Sequence, residues 1–280
     1  MEHLIEPSLL ERRVHVHLVG VGGNGAQMAA CLARLDIAMR ALGHPAGLHV
    51  IAFDADTVSG ANVGRQLYSP ADVGQNKAVL TIQRLNLFYG LDWDAVPVRY
   101  ESWGRSDHAD IVVSCVDTRA SRRYLHERFV ARPGDTSYWL DLGNTESTAQ
   151  VVLGEALRHH AKERGGCPRL PCVTELFSEL LDTTVKEVNA PSCSVRMSLV
   201  SQGLFINDVA VRMGSQLLYE LFSRGRLRQH GVVINLDGKR SGPIDVSPDV
   251  WRRYNVPAPT PTAAKGRTRR RVHKGGAAQI

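Results

Sequence analysis

The sequence predicts a doubly wound α/β fold: a mainly parallel sheet covered on both faces, finished by a C-terminal helix and a β-hairpin. Three observations carry this reading. A short apolar strand runs straight into a glycine-rich turn and a helix near the N-terminus. Strand-like and helix-like segments then alternate as far as residue 153, which parallel pairing requires because each crossover needs a helix. A long apolar stretch over 195–222 is followed by two short β-branched runs around Asp237-Gly238, a pair suited to a hairpin turn.

The elements follow in order. Val14–Val19 is the first strand, and Gly20-Val-Gly-Gly-Asn-Gly25 comes directly after it. Residues 26–42 carry apolar side chains at helical spacing, and Gly43-His-Pro45 stops the helix. Leu48–Phe53 is a second strand ending in Asp54-Ala-Asp56, and Asn76–Tyr89 reads as a helix. Val96–Tyr100 and Asp110–Val116 read as strands, Thr118–Val130 as a helix, and Ser137–Leu142 and Thr148–Leu153 as later strands. Residues 167–194, rich in Pro, Cys and polar side chains, are expected to form a loop crossing the surface.

Composition bounds the function. A chain of 280 residues, 43% hydrophobic, can bury one substantial core. No apolar run approaches the ~20 residues of a membrane span, and the first residues lack a signal-peptide pattern. Five cysteines without framework spacing fit reduced thiols, so a soluble cytoplasmic protein is expected. The net charge of +6 comes entirely from Lys265, Arg267, Arg269, Arg270, Arg271 and Lys274; residues 1–254 are neutral. The expected organisation is therefore one domain over 1–254 and a basic disordered tail over 255–280, too polar to offset its ordering entropy. That tail is either a solubiliser or a non-specific contact for DNA through phosphate neutralisation.

Gly20, Gly22, Gly23 and Gly25 sit between strand and helix, where missing side chains let phosphate oxygens reach backbone N–H groups at a helix N-terminus. This makes the fold Rossmann-like, and Asp54 at the end of the second strand suits a ribose. Residues 54–77 then read DADTVSGANVGRQLYSPADVGQNK, and 115–122 read CVDTRASR. Over about 14–154 the chain resembles the ThiF/MoeB/E1 family, whose signature is D-x-D-x-V, then S-N-x-x-R-Q, then D-V-G-x-x-K, with an Asp five residues ahead of an Arg. The matching positions are Asp54, Asp56, Asn62, Arg65, Gln66, Lys77, Asp117 and Arg122; Ala61 departs from the family's usual Ser. The resemblance implies an adenylyltransferase that binds ATP and Mg²⁺ and activates a carboxylate, the C-terminus of a small ubiquitin-like or sulfur-carrier-like protein, as a homodimer. It places ribose on Asp54, phosphates near Asn62, Arg65 and Lys77, and Mg²⁺ on Asp117, with Arg122 ordering the loop. A dehydrogenase has no use for Arg65 and Lys77, whereas developing phosphate charge does.

Some members of this family pass the acyl group to a cysteine. Cys172, in Leu170-Pro-Cys-Val-Thr, resembles the surroundings of such thiols, and Cys193, ahead of the expected 195–222 helix, is the second candidate. Members with a structural zinc use Cys-x-x-Cys pairs; their absence here argues against zinc, leaving only Cys167, Cys172, Cys193 and His159 or His160 to draw on. Relatives often present an N-terminal arginine to the partner subunit's nucleotide; Arg12 and Arg13 lie too close to their own strand for that.

GVVINLDGKRSGPIDVSP at 231–248, together with Cys193-Ser-Val-Arg-Met and Phe205-Ile-Asn-Asp, is similar to the ThiF-family protein of the PRTRC systems of bacterial plasmids and integrated elements. That closer resemblance implies a ubiquitin-like small protein and a JAB-type peptidase-like protein as neighbours. The alternative to an adenylyltransferase is a nucleotide-binding scaffold in element maintenance.

Overall fold

The computed structural model describes residues 1–103, 108–158, 168–184 and 203–256. Among them, eight strands form one sheet in the order β10-β9-β7-β6-β5-β2-β3-β4. The strands are β2 Val14–Val19, β3 Leu48–Phe53, β4 Asp94–Val96, β5 Ile111–Ser114, β6 Tyr138–Asn144, β7 Thr148–Glu155, β9 Gln229–Asn235 and β10 Arg240–Asp245. Pairings from β4 through β3, β2 and β5 to β6 are parallel, and β6–β7, β7–β9 and β9–β10 are antiparallel. The fold is thus the mainly parallel, Rossmann-like α/β sheet expected, and the terminal hairpin extends that sheet as its edge.

Strand alternation divides the core between two faces. Val16, Leu18, Ile111, Val113, Tyr138, Leu140 and Leu142 face α1 (Gly23–Ala41), α2 (Lys77–Tyr89) and α5 (Ile206–Arg224). Val19, Val112, Trp139 and Val152 face the opposite layer, which holds α3 (Arg119–Phe129), α4 (Val173–Leu176) and α6 (Pro248–Arg252). Helix starts follow their caps: Asn76 accepts the Val79 N–H and Thr118 that of Ser121. Gly90 and Gly225 end α2 and α5 in the left-handed conformation.

Two expectations need correction, and two further segments complete the picture. The strand expected at Val96–Tyr100 runs instead over Asp94–Val96, because Pro97 has no N–H to continue the ladder; Tyr100–Ser102 form a 3₁₀ turn. Residues 170–176 of the expected surface loop are not superficial: Leu170, Cys172, Val173 and Leu176 are buried against the second face, while 178–184 stay largely exposed. Residues 195–202 of the expected long helix lie outside the described residues, and the helix that is described begins at Ile206. The N-terminal segment also belongs to the fold. β1 (His3–Leu4) pairs with β8 (Arg226–Leu227), and Leu9 is fully buried.

Candidate functional site

A cleft of about 470 Å³ opens at the C-terminal ends of β2, β3, β5 and β6. The chain leaves β2 for β3 on one side and returns to β5 on the other, so this is the topological switch point where open parallel sheets bind ligands.

Its floor is the glycine turn. Gly20 has φ +86°, and a Cβ there would stand 2.8 Å from the Cys115 carbonyl oxygen; a Cβ on Gly25 would collide with the Gly20 carbonyl. Strand, turn and helix can meet this closely only without those side chains. Val21 is held through both of its backbone polar groups. Its N–H donates to Asp54 Oδ2 (2.6 Å), and its carbonyl accepts from the Tyr68 hydroxyl (2.6 Å). Asp54 Oδ1 accepts the Asp56 N–H (2.8 Å). Burial pushes the Asp54 carboxyl up from its ordinary value, opposed by these two N–H donors.

The β3 side carries the cations. Asn76 donates to the carbonyls of Asp54 (2.9 Å) and Asp56 (3.2 Å), tying the start of α2 to the end of β3. This places the buried Lys77 with its Nζ 3.2 Å from Asp56 Oδ2. Arg65 is half-buried in the same wall, and burial lowers its pKa. Gln66 is buried beside them. Asn62 is not among the cleft residues: its side-chain oxygen accepts the N–H (2.9 Å) and hydroxyl (3.1 Å) of Ser59, so it caps a 3₁₀ turn.

The β5 side carries Asp117, exposed at the cleft edge. Its loop is pinned from beneath. Buried Arg122 donates to both Asp141 oxygens (3.3 Å each) and to the Val116 carbonyl (2.8 Å). Asp141 also accepts the Ser114 hydroxyl (2.5 Å), which in turn accepts the Trp139 indole N–H (2.7 Å). Residues the sequence reading did not single out complete the wall: Arg99 and Tyr100 beyond β4, and Asn24, Asn144 and Asn207 toward β6.

The other candidates fall elsewhere. Cys172 is fully buried, its thiol donates to the Glu155 carbonyl (3.4 Å), and burial pushes its pKa up. A nucleophile needs access and thiolate character, and Cys172 has neither. Cys193, Cys167, His159, His160 and the basic residues of the tail lie outside the described residues. Among the described residues no group of three His, Cys, Asp or Glu could hold a metal. None of their helices is long and apolar enough to cross a membrane. Both N-terminal arginines have partners in their own chain, Arg12 on buried Asp110 (2.6 and 2.7 Å) and Arg13 on Asp92.

Comparison with known proteins agrees with this fold. Among solved structures, E. coli MccB with ATP is similar with a TM-score of 0.57 at 17% identity, over 85% of this chain and 65% of that one. The microcin C7 biosynthetic enzyme MccB in complex with N-formylated MccA gives 0.58 at 15%, over 84% and 65%. A curated relative, ubiquitin-like modifier-activating enzyme 5 of Oryza sativa subsp. japonica, is 26% identical over 155 residues, 48% of this chain and 33% of that protein. The chain thus spans about a third of the plant enzyme and just under two thirds of the MccB chains. The ThiF family model matches residues 10–241, and the chain belongs to the ThiF family.

Proposed function

We propose that the chain is an E1-like adenylyltransferase that binds ATP in the switch-point cleft and activates a carboxylate. The observation that carries this reading is the meeting of a glycine turn, the cations Arg65 and Lys77 and the exposed carboxylate of Asp117 in one cleft. Ribose is assigned to Asp54 and the phosphates to the N–H groups over Gly22–Gly25, where the α1 dipole favours anions. Arg65 and Lys77 stabilise the charge that develops on the departing pyrophosphate. Holding the reactants in register supplies much of the remaining acceleration.

Asp117 is the residue assigned to Mg²⁺. The donor set fits, because Mg²⁺ needs only one or two carboxylates when phosphate oxygens and waters complete its shell. When bound, it neutralises phosphate charge. Asn62 is retained as a loop residue, since it does not line the cleft and its side-chain oxygen holds the turn at Ser59.

The relatives suggest the carboxylate. One solved MccB structure is described with MccA and the plant relative as an activating enzyme for a ubiquitin-like modifier. A small ubiquitin-like or sulfur-carrier-like protein C-terminus is therefore the proposed substrate, with a PRTRC-type neighbour as its source, in the cytoplasm and with the enzyme as a homodimer. The adenylate passes to a second substrate without Cys172; Cys193 remains the thiol candidate. The tail's six cations are proposed as a salt-sensitive DNA contact, which deletion of 255–280 should abolish while ATP binding persists.

The test is ATP–pyrophosphate exchange by the pure protein with candidate carboxyl partners. Exchange that depends on a partner's free C-terminus is the expected result. ATP binding without exchange for any partner would favour a scaffold; no ATP binding would sink both.

A further inference from the structure

Asn207, the second residue of α5, is 1% exposed and lines the cleft, and its side-chain Nδ2 has no hydrogen-bond partner among the described residues. Buried donors are rarely left unmet, and one that also lines a cleft is a candidate for a ligand. The amide lies directly over the first turn of α1, where a Cβ on Gly23 would collide with it. That turn presents unsatisfied backbone N–H groups. Asn24, 7% exposed, donates to Asn144 Oδ1 (2.8 Å), while its own Oδ1 has no partner among the described residues. A free donor and a free acceptor thus share the cleft wall.

The sheet order says what they are for. Across the C-terminal edge run β6 with Asn144, β5 with Asp117, β2 with the glycine turn, and β3 with Asp54, Asp56 and Lys77. Each spacing is about 4.8 Å. Asp54, the residue assigned to ribose, lies on the β3 side with Arg65 and Lys77, so the leaving pyrophosphate is drawn toward those two cations. In-line displacement at the α-phosphate then brings the nucleophile from the opposite side. That side holds Asn207.

We propose that the Asn207 amide binds the carboxyl group of the acyl substrate and aims it at the α-phosphate, with Asn24 Oδ1 accepting the N–H of the preceding peptide group. The ligand class is a peptide C-terminus. One carboxylate oxygen forms the new P–O bond, the α–β anhydride bond breaks, and pyrophosphate leaves with the electron pair; no proton is transferred. This rests on the adenylyltransferase reading, so the test separates the two.

The probes are ATP and glycylglycyl-sulfamoyl-adenosine, an unreactive mimic of a peptidyl adenylate, with adenosine sulfamate as the acyl-free control. Titrations use the full chain and two variants. Asn207→Ala removes the amide, and Asn207→Leu keeps its volume without the donor; melting curves check that each is folded. Wild type should bind the acyl mimic more tightly than adenosine sulfamate. Both variants should lose about tenfold for the acyl mimic, ~1.4 kcal/mol, and stay within about twofold for ATP. Equal losses for both ligands would make Asn207 a phosphate ligand and overturn the proposal. No loss for either, or a wild type that ignores the acyl group, would also overturn it while nucleotide binding stood. A wild type that binds no nucleotide would bring down the underlying reading as well. If the variants do not fold, the side-chain amide resonance of isotope-labelled Asn207 in wild type is followed instead: a shift with the acyl mimic and none with ATP supports the proposal, and the reverse overturns it.

Discussion

Lys77 Nζ lies 3.2 Å from Asp56 Oδ2, and the two side chains differ sharply in exposure, 9% against 67%. The carboxylate holds the ammonium at the cleft wall while remaining hydrated itself, so the pair is a positioning device more than a source of stability. Exposed or half-exposed ion pairs contribute little. Lys77→Met keeps the stem and leaves no buried charge behind, so the fold should persist. Pyrophosphate exchange should fall by ~100-fold or more, the cost of removing one preorganised partner of developing charge. Exchange rates near wild type in a folded Lys77→Met protein would show that the phosphates lie elsewhere.

Ligand choice follows from the same wall. Arg65 and Lys77 suit a triphosphate better than a dinucleotide, so ATP·Mg²⁺ should bind at least tenfold more tightly than NAD, a gap of ~1.4 kcal/mol. Calorimetric titration of both ligands measures it. A preference for NAD would return the glycine turn to its commoner use in dehydrogenases.

How legible the site was depends on where its residues sit in the chain. Gly20 to Lys77 form one contiguous turn–helix–strand–loop run behind the first strand, and local spacing exposes their shared chemistry. Arg122 was readable for the same reason, five residues past Asp117. Asn207 was not. It reaches the cleft only because α5 packs against α1, a tertiary contact that no local pattern encodes. Cys172 shows the opposite failure. Its Pro and Thr neighbours suggested an exposed loop thiol, but Leu170, Val173 and Leu176 draw the segment into the core. Asn62 matches the motif in sequence, yet it stands outside the cleft lining, with its side-chain oxygen bonded to Ser59.

Buried Cys172 should therefore be inert. In the native protein a short alkylation pulse should leave it unmodified, and urea should expose it; mass spectrometry of the peptides reads both. Cys172→Ala should retain exchange activity, since a protonated thiol inside the core takes no part in transfer. A thioester trapped on Cys172 would contradict the burial.

Arg122 and Asp141 are 7% and 0% exposed at the side chain. Arg122→Met leaves the Asp141 carboxylate with only the Ser114 hydroxyl, an uncompensated buried charge. Stability should drop by about 3–5 kcal/mol. The double variant Arg122→Met/Asp141→Leu should lose less than the sum of its single changes, because it removes both charges. Urea denaturation gives all the terms. A fully additive cycle would mean that the two side chains act independently.

His230 provides the pH test. Its Nδ1 faces the Leu153 carbonyl at 2.9 Å, and the Trp251 indole N–H donates to its Nε2 at 2.9 Å. A carbonyl can only accept and an indole N–H can only donate, so the ring is neutral with its proton on Nδ1. A second proton on Nε2 would confront the indole N–H. Burial pulls the pKa from 6.5 down to about 4. Between those values the unfolded chain binds a proton that the folded chain refuses, so stability rises with pH there. His230 thus contributes its full stabilisation above pH 6.5 and loses it progressively as the pH falls toward 4, by ~1.4 kcal/mol per unit. Urea midpoints between pH 4 and 7 should show this slope, on top of whatever the carboxylates add. Trp251→Phe removes the opposing N–H and should raise the ring's pKa, flattening the curve at the cost of some stability at neutral pH. If the His230 imidazole titrates near 6.5 by NMR in the folded wild type, the ring is open to water and the tautomer assigned to it is wrong.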